Sequence, residues 1–430
     1  MDLIRESLFW LSGFTKEQWL LTFSGMFLLD LPRYLFANLT LMFWIFFQSI
    51  FLPKKKYPAH LPSVSIIIPC LNEEETIYQC LETLYGTYPY LQLIVVDDGS
   101  KDSTFDLANK FAQEHPDVIV LARTRGGGKS TAQNFAFPYV TGDIVAVVDS
   151  DTTFGKDAIY HLVQPFRDPE VGGTSGNILV RNPNDSLCTM FQAYEYLISI
   201  LVGRVFSSRT GMLSIVSGAF GAFRREIFTK GYGMDVGPSE DSDITIRARK
   251  MGYKIVFVPE AECFTDVPVS WKSLWNQRLR WDMGIVRIHL RKHYDSANPF
   301  SANFRLTNTL YWYDTLFFSV WCTLSFWIML AGLFITLPWE TLINLSVCVM
   351  MAYMVFGFFQ VLTVIFHSQD IKRDLPLCLI FPFYTLYGGF FMRAVRTVAI
   401  LDEFINHSSY RDNFVPNFVQ VHAFQWKTKC

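Results

Sequence analysis

Three short acidic clusters stand out in a chain with few charges. Asp149-Ser150-Asp151 closes the strand-like run IVAVVD. Asp149 and Asp151, two residues apart at a strand end, can share one divalent cation. Mg²⁺ or Mn²⁺ bound in this way completes its shell with phosphate oxygens and water. Asp97-Asp98-Gly99-Ser100 closes a second run, LQLIVVD, where Asp98 could hydrogen-bond a nucleotide base or ribose. An Asp-Gly turn leaving a strand is an equally good reading of those residues alone. Ser239-Glu240-Asp241 precedes a helix-like stretch. Acids there can cap a helix, or Asp241 can act as a general base toward a hydroxyl.

Two further segments carry chemistry. Gly126-Gly127-Gly128-Lys129-Ser130-Thr131 resembles a phosphate-binding loop, but Arg123 occupies the position where GxxxxGK[ST] requires glycine. A glycine run ending in Lys129 can still approach a diphosphate through backbone N–H groups. Gln277-Arg278-Leu279-Arg280-Trp281 places two guanidinium groups for phosphate beside an indole that offers a flat platform for a sugar ring. The same residues would also suit a membrane-interface helix with snorkelling arginines.

These residues need a scaffold, and the sequence suggests one. The runs at 64–69, 91–97, 118–121 and 144–149 are rich in β-branched residues and read as buried parallel strands. Between the first two, Ile77, Leu81 and Leu84 fall on one helical face. Alternating strands and helices predict an α/β, Rossmann-like doubly wound sheet over 63–267, with its ligand site at the carboxyl ends of the strands. Of the 430 residues, half are hydrophobic and 18% charged, against ~25% charged in soluble domains. The apolar excess gathers at the two ends. Residues 34–52 can span a bilayer and are followed by Lys54-Lys55-Lys56, which places that end in the cytoplasm. Residues 1–29 read as an interfacial or partly inserted helix, or equally as a soluble amphipathic one, and 1–62 is read as an N-terminal interfacial and transmembrane segment. Residues 268–305 predict interfacial amphipathic helices. Within the C-terminal membrane region 306–430, apolar stretches lie near 310–337 and 341–366. A third, at 377–392, either spans or stays inside, and Arg393 and Arg396 argue for inside. A net charge of −2 gives no case for a nucleic-acid partner. The eight cysteines show no CxxC spacing, which disfavours a zinc or disulfide framework.

Taken in order, Asp98, Asp149-Ser150-Asp151, Ser239-Glu240-Asp241 and Gln277-x-x-Arg280-Trp281 resemble the D, DxD, ED and Q-x-x-R-W series of processive family-2 glycosyltransferases. That group includes the hyaluronan, cellulose, chitin-oligosaccharide and poly-N-acetylglucosamine synthases. Pro69 with Asn72-Glu73, Lys129, Gln192-x-x-Glu195-Tyr196 and Ser217 to Gly221 also match positions familiar in the group. The resemblance covers about 63–295. It implies a GT-A fold, a UDP-sugar donor, a glycan acceptor and inversion at the anomeric carbon. Asp98 would contact the uridine, and Asp149 and Asp151 would bind the metal–diphosphate. Asp241 would be the base, Arg280 would steady the leaving group, and Trp281 would stack on the acceptor. Pro69, Glu73, Lys129, Glu240, Gln277 and Arg278 complete the expected substrate site. The implied place is the plasma membrane, multi-pass, with the catalytic domain cytoplasmic. About three clear spans are few for a channel built from one copy, so a second copy or an accessory export protein would be the further partner. A non-processive transferase adding one sugar to a lipid carrier is the alternative, but it would not need the Q-x-x-R-W platform. Three intact carboxylate sites argue against a non-catalytic scaffold.

Overall fold

A computed structural model describes residues 2–51, 61–124, 127–230, 233–234, 239–301 and 304–410. Lys54–Lys56 and Gly126 lie outside the described residues. The four β-branched runs become β1 (Val64–Cys70), β2 (Leu91–Asp97), β3 (Val118–Ala122) and β4 (Ile144–Val148). β1 pairs in parallel with β2 and β4, and β2 with β3. β1 and β4 are buried along their whole length, as expected of strands covered on both faces. The chain then adds β5 (Thr153–Phe154), β6 (Val171–Val180), β7 (Phe220–Arg224) and β8 (Lys254–Thr265). The full sheet runs β3-β2-β1-β4-β7-β6-β8-β5. It is mixed: β7 runs antiparallel to both β4 and β6, and β5 antiparallel to β8.

The four parallel strands deliver their carboxyl ends to one edge, and β7 begins at that edge because it runs the other way. Loops after β1, β2 and β4 therefore meet the loop before β7. The first two are laced together. The Asn72 amide donates to Ser100 Oγ at 2.9 Å, the Lys101 amide to Asn72 Oδ1 at 2.9 Å, and the Glu73 amide to Thr104 Oγ1 at 2.7 Å. Pro69 sits buried near the end of β1, opposite Val96.

Among the described residues, four helical segments are long and apolar enough to cross a membrane: Thr22–Gln48, Leu306–Thr336, Trp339–His367 and Ile371–Asn406. The first begins earlier than the uncharged run 34–52. Asp30, Pro32 and Arg33 lower its hydropathy, but the charges are paired inside the helical bundle. Asp30 accepts from the Tyr353 hydroxyl, and Arg33 forms a two-pronged pair with Asp314.

The helix Trp271–Gly284 continues through Ile285–Lys292. Its later arginines do not reach toward a lipid surface. Arg287 and Arg291 are buried, and Arg291 pairs with Glu403 at 2.5 Å. The helix passes very close to the loop before Glu240. Gly284 lies against Ser239, whose backbone takes the left-handed conformation with φ 72°. A Cβ at 284 would collide with the Ser239 side chain. Gly284→Ala should therefore cost about 1–3 kcal/mol, the usual range for overpacking. Adding Ser239→Gly, which removes the obstructing atoms and suits the positive φ, should recover most of that loss. Chemical denaturation of the two variants in detergent checks both halves of the expectation.

Candidate active site

At the edge where the strand ends meet, one side chain joins three chain segments. Lys129 opens the short helix Lys129–Ala136. Its Nζ donates to Asp149 Oδ1 at 2.5 Å and to the Gly218 carbonyl at 3.3 Å, and lies 3.6 Å from Glu240 Oε1. The Gly218 amide donates to Asp241 Oδ2 at 3.2 Å. The peptide units flanking Gly218 thus link the ammonium to the Asp241 carboxylate. A Cβ at 218 would stand 2.9 Å from Lys129 Nζ and 3.6 Å from both Asp241 Oδ2 and Glu240 Oε1, so the lack of a side chain there keeps the site open.

Glu240 and Asp241 are the first residues of the helix Glu240–Lys250 rather than residues preceding it. Asp241 Oδ1 accepts from the Ser242 amide at 2.7 Å. Burial drives the Glu240 carboxyl up to about 7; Lys129 opposes the rise and Asp241 adds to it. Burial also raises Asp241, against the pull of Lys129 and of the Ser242 and Gly218 amides. Burial disfavours the Lys129 charge as well, but Asp149 and Glu240 outweigh it and the pKa is raised. A narrow cavity beside Glu240 and Asp241 is walled by Gln133, Val147, Val216 and Met234.

A second group gathers around the end of β4. Burial first, then the charges of Asp149 and Glu73, push Asp151 up to about 6. Burial also raises Glu73; Thr76 bonds to it and resists, while Asp149 and Asp102 add to the rise. Arg181 steadies this turn by donating to the Asp151 carbonyl at 3.0 Å.

The remaining expected residues lie at the margins. Asp98 is buried, and its Oδ2 accepts from the Gly127 and Gly128 amides at 2.8 Å each, while Oδ1 takes Arg123. Here the glycine N–H groups, read from the sequence as diphosphate donors, point at Asp98 and fix the loop that presents Lys129. Arg278 is buried and grips Glu195 with two 3.0 Å bonds; Tyr387 donates to the same carboxylate at 2.6 Å. Its guanidinium lies 4.4 Å from the centre of the Trp281 ring. Gln277 is partly buried one turn before Trp281, and Arg280 and Trp281 are exposed. The structure does not bring these four against Lys129. It connects them to the site through Glu195 and the Gly284–Ser239 contact.

Residues 65–231 match the family model described as glycosyl transferase family 2. The chain carries a family-2 glycosyltransferase domain. Lys129, Asp149 and Gly218 lie inside that matched segment, and Glu240 and Asp241 lie just beyond it. The chain is 35% identical over 233 residues to a probable glycosyltransferase, YdaM, of Bacillus subtilis, covering 52% of this chain and 55% of that one. It is 31% identical over 241 residues to a poly-beta-1,6-N-acetyl-D-glucosamine synthase of Staphylococcus aureus, covering 55% and 58%. The matches thus span little more than half the length of these relatives. The fold is similar to that of the mannosyltransferase PcManGT from Pyrobaculum calidifontis, solved in complex with GDP-Man and Mn²⁺. The TM-score is 0.57 at 22% identity, covering 90% of this chain and 99% of that chain. The family-2 domain therefore has the GT-A-type architecture expected from its motifs, with the mixed sheet described above.

The raised Glu240 sets a pH rule for this domain. A carboxyl whose folded pKa lies above its unfolded value favours the fold fully below the unfolded value. That contribution is lost as pH rises through the folded value. For Glu240 the window runs from about 4.5 to about 7. Glu240→Gln should thus raise the melting temperature at pH 8 and have little effect near pH 4.5. Thermal unfolding across that window checks the sign.

Proposed function

We propose that this chain is a membrane-bound, inverting glycosyltransferase that uses a UDP-sugar to extend a β-linked polysaccharide. The observation that carries this reading is the meeting of Asp149, Gly218, Glu240 and Asp241 around Lys129, next to a docked helix that carries Gln277, Arg280 and Trp281. The likeness to a poly-beta-1,6-N-acetyl-D-glucosamine synthase supports a polymer as product, and the motif series supports the UDP donor. Nucleotide sugars are made in the cytoplasm, so the catalytic domain belongs on that face of the plasma membrane.

Asp149 and Asp151 fit a divalent cation. Burial, and then the like charge of Asp149, raise the pKa of Asp151, a cost that Mg²⁺ or Mn²⁺ would offset. Among the described residues no group of three or more His, Cys, Asp or Glu could hold a metal. Two carboxylates suit an ion that takes its other ligands from a diphosphate and water. Such an ion would supply positive charge where the leaving diphosphate gathers negative charge. The protein does the rest. Lys129 holds Asp149 in place, and Asp98 holds the loop that carries Lys129. Asp241 takes the proton from the attacking acceptor hydroxyl, oriented by the Gly218 amide. Arg280 faces the diphosphate as it departs, and Trp281 stacks on the acceptor sugar. Glu73, Pro69, Gln277 and Arg278 shape the walls.

The test pairs binding with transfer. Asp241→Asn should keep UDP affinity in calorimetry while single-turnover transfer falls ~10²–10⁴-fold, the usual worth of a general base. Trp281→Ala should keep UDP binding and shorten the product. Excess chelator should abolish turnover, as should Asp151→Asn. Transfer by Asp241→Asn at the wild-type rate would overturn the mechanism, and full activity in chelator would overturn the metal. A panel of UDP-sugars on membranes, with product sizing, identifies the donor and separates polymer from single-sugar transfer.

A further inference from the structure

Gln133 lies one turn after Lys129 on the helix Lys129–Ala136, four residues on and therefore on the same face. Its side chain is buried, and neither Oε1 nor Nε2 finds a hydrogen-bond partner among the described residues. Turning the amide over changes nothing, because both of its ends lack a partner. The helix cannot rotate to carry the amide out to solvent. The neighbouring Asn134 donates from Nδ2 to the Met234 carbonyl at 2.6 Å and accepts at Oδ1 from the Met234 amide at 2.8 Å, which fastens the helix to the chain ahead of Glu240. A buried amide left bare at both ends is costly. Folded proteins supply such groups with protein or ordered-water partners.

The cavity beside Gln133 offers the missing partner. Val147, Val216, Phe223 and Ile244 give it apolar walls, and Gln133, Glu240 and Asp241 its polar ones. It has room for about one water. Asp241 is already bonded, by the Gly218 and Ser242 amides at 3.2 and 2.7 Å. Glu240 is less well served. Among the described residues its carboxyl accepts no hydrogen bond from another residue, and the Lys129 ammonium stands 3.6 Å away. Two buried polar groups on the walls of one cavity therefore lack partners. Water suits that gap better than a direct contact. It can donate to a Glu240 carboxylate or accept from the protonated form that burial favours, and bond the amide in either case.

We propose that a buried water bridges the Gln133 amide to the Glu240 carboxyl, and that Gln133 is through it a positioning residue for Glu240 and Asp241. A carboxyl held only by a 3.6 Å ion pair turns easily. Bonded from the cavity as well, Glu240 keeps Oε1 toward Lys129. The lysine charge is then divided in one fixed way between Asp149, Glu240 and the adjacent Asp241. The bridge stands on geometry alone; its effect on transfer rests on the reading of Asp241 as the base.

The sign of a stability change tests the bridge. Gln133→Leu nearly keeps the size of the side chain and removes the amide. In a dry cavity it would remove two bare polar atoms, and the melting temperature of the full-length chain in detergent would rise. With the water in place it deprives the water and Glu240 of a partner, so the melting temperature should fall. Independently of any variant, a map of the wild-type chain sharp enough to show other buried waters should show one within ~3.2 Å of both Gln133 and Glu240. A rise in melting temperature, or a cavity without that density, would overturn the bridge. Single-turnover transfer by Gln133→Leu should drop about tenfold, the effect of losing one hydrogen bond, with UDP affinity in calorimetry unchanged. Gln133→Asn keeps an amide and should recover most of the rate. Wild-type transfer by Gln133→Leu, or no recovery by Gln133→Asn, refutes the positioning role. Asp241→Asn tests the base separately: a wild-type rate there would leave the bridge standing and remove only its catalytic meaning.

Discussion

The Lys129 ammonium lies between the end of β4 and the start of the helix Glu240–Lys250, bonded to Asp149 and the Gly218 carbonyl and 3.6 Å from Glu240. Without it, Asp149 would crowd Glu240 and Asp241, from a distant part of the chain, in one partly buried corner. Two like charges ~4 Å apart near a protein surface repel by about 4 kcal/mol, so such a corner would open or take up protons. The loop before β7, the helix N-terminus and the strand end keep their spacing because one cation is shared among them. Asp98 is the second tier of the same arrangement. It holds Gly127 and Gly128, and through them the start of the Lys129 helix.

The parallel half of the sheet was legible in the sequence because strands covered on both faces read as near-continuous apolar runs, and β1, β2 and β4 are rich in Val, Ile and Leu. The antiparallel half was not. β6 is the glycine-rich run VGGTSGNILV and β8 is only partly buried, so neither shows a continuous apolar pattern. The acidic clusters announced themselves because two or more charges at a strand or helix end are conspicuous in so apolar a chain. Their meeting around Lys129 could not be read, since residues 129, 149, 218 and 240 come together only through the fold. The same holds for Arg278, which looked like a phosphate ligand and grips Glu195. The first helix of membrane-spanning length starts before the uncharged run 34–52, where hydropathy counts Asp30 and Arg33 as costs while the bundle supplies Tyr353 and Asp314 as partners.

The setting of Trp281 depends on both the domain and the helices around it. Glu195 receives Arg278 from one helix and Tyr387 from another, so three segments share a single carboxylate. Arg278 also supports the Trp281 ring from beneath. An exposed indole on an otherwise mobile surface would lose its orientation, and this packing gives it a fixed floor. The Gly284–Ser239 contact then sets the distance from that floor to the carboxylates.

Gly218 has an evolutionary consequence. Its amide serves Asp241, its carbonyl serves Lys129, and a Cβ there would press on the Lys129 ammonium at 2.9 Å. Natural selection would therefore see this position as it sees an acid or a base, although it contributes only backbone. In a saturation screen for growth, residue 218 should be as intolerant as the carboxylates themselves, and a search guided by reactive side chains would pass over it.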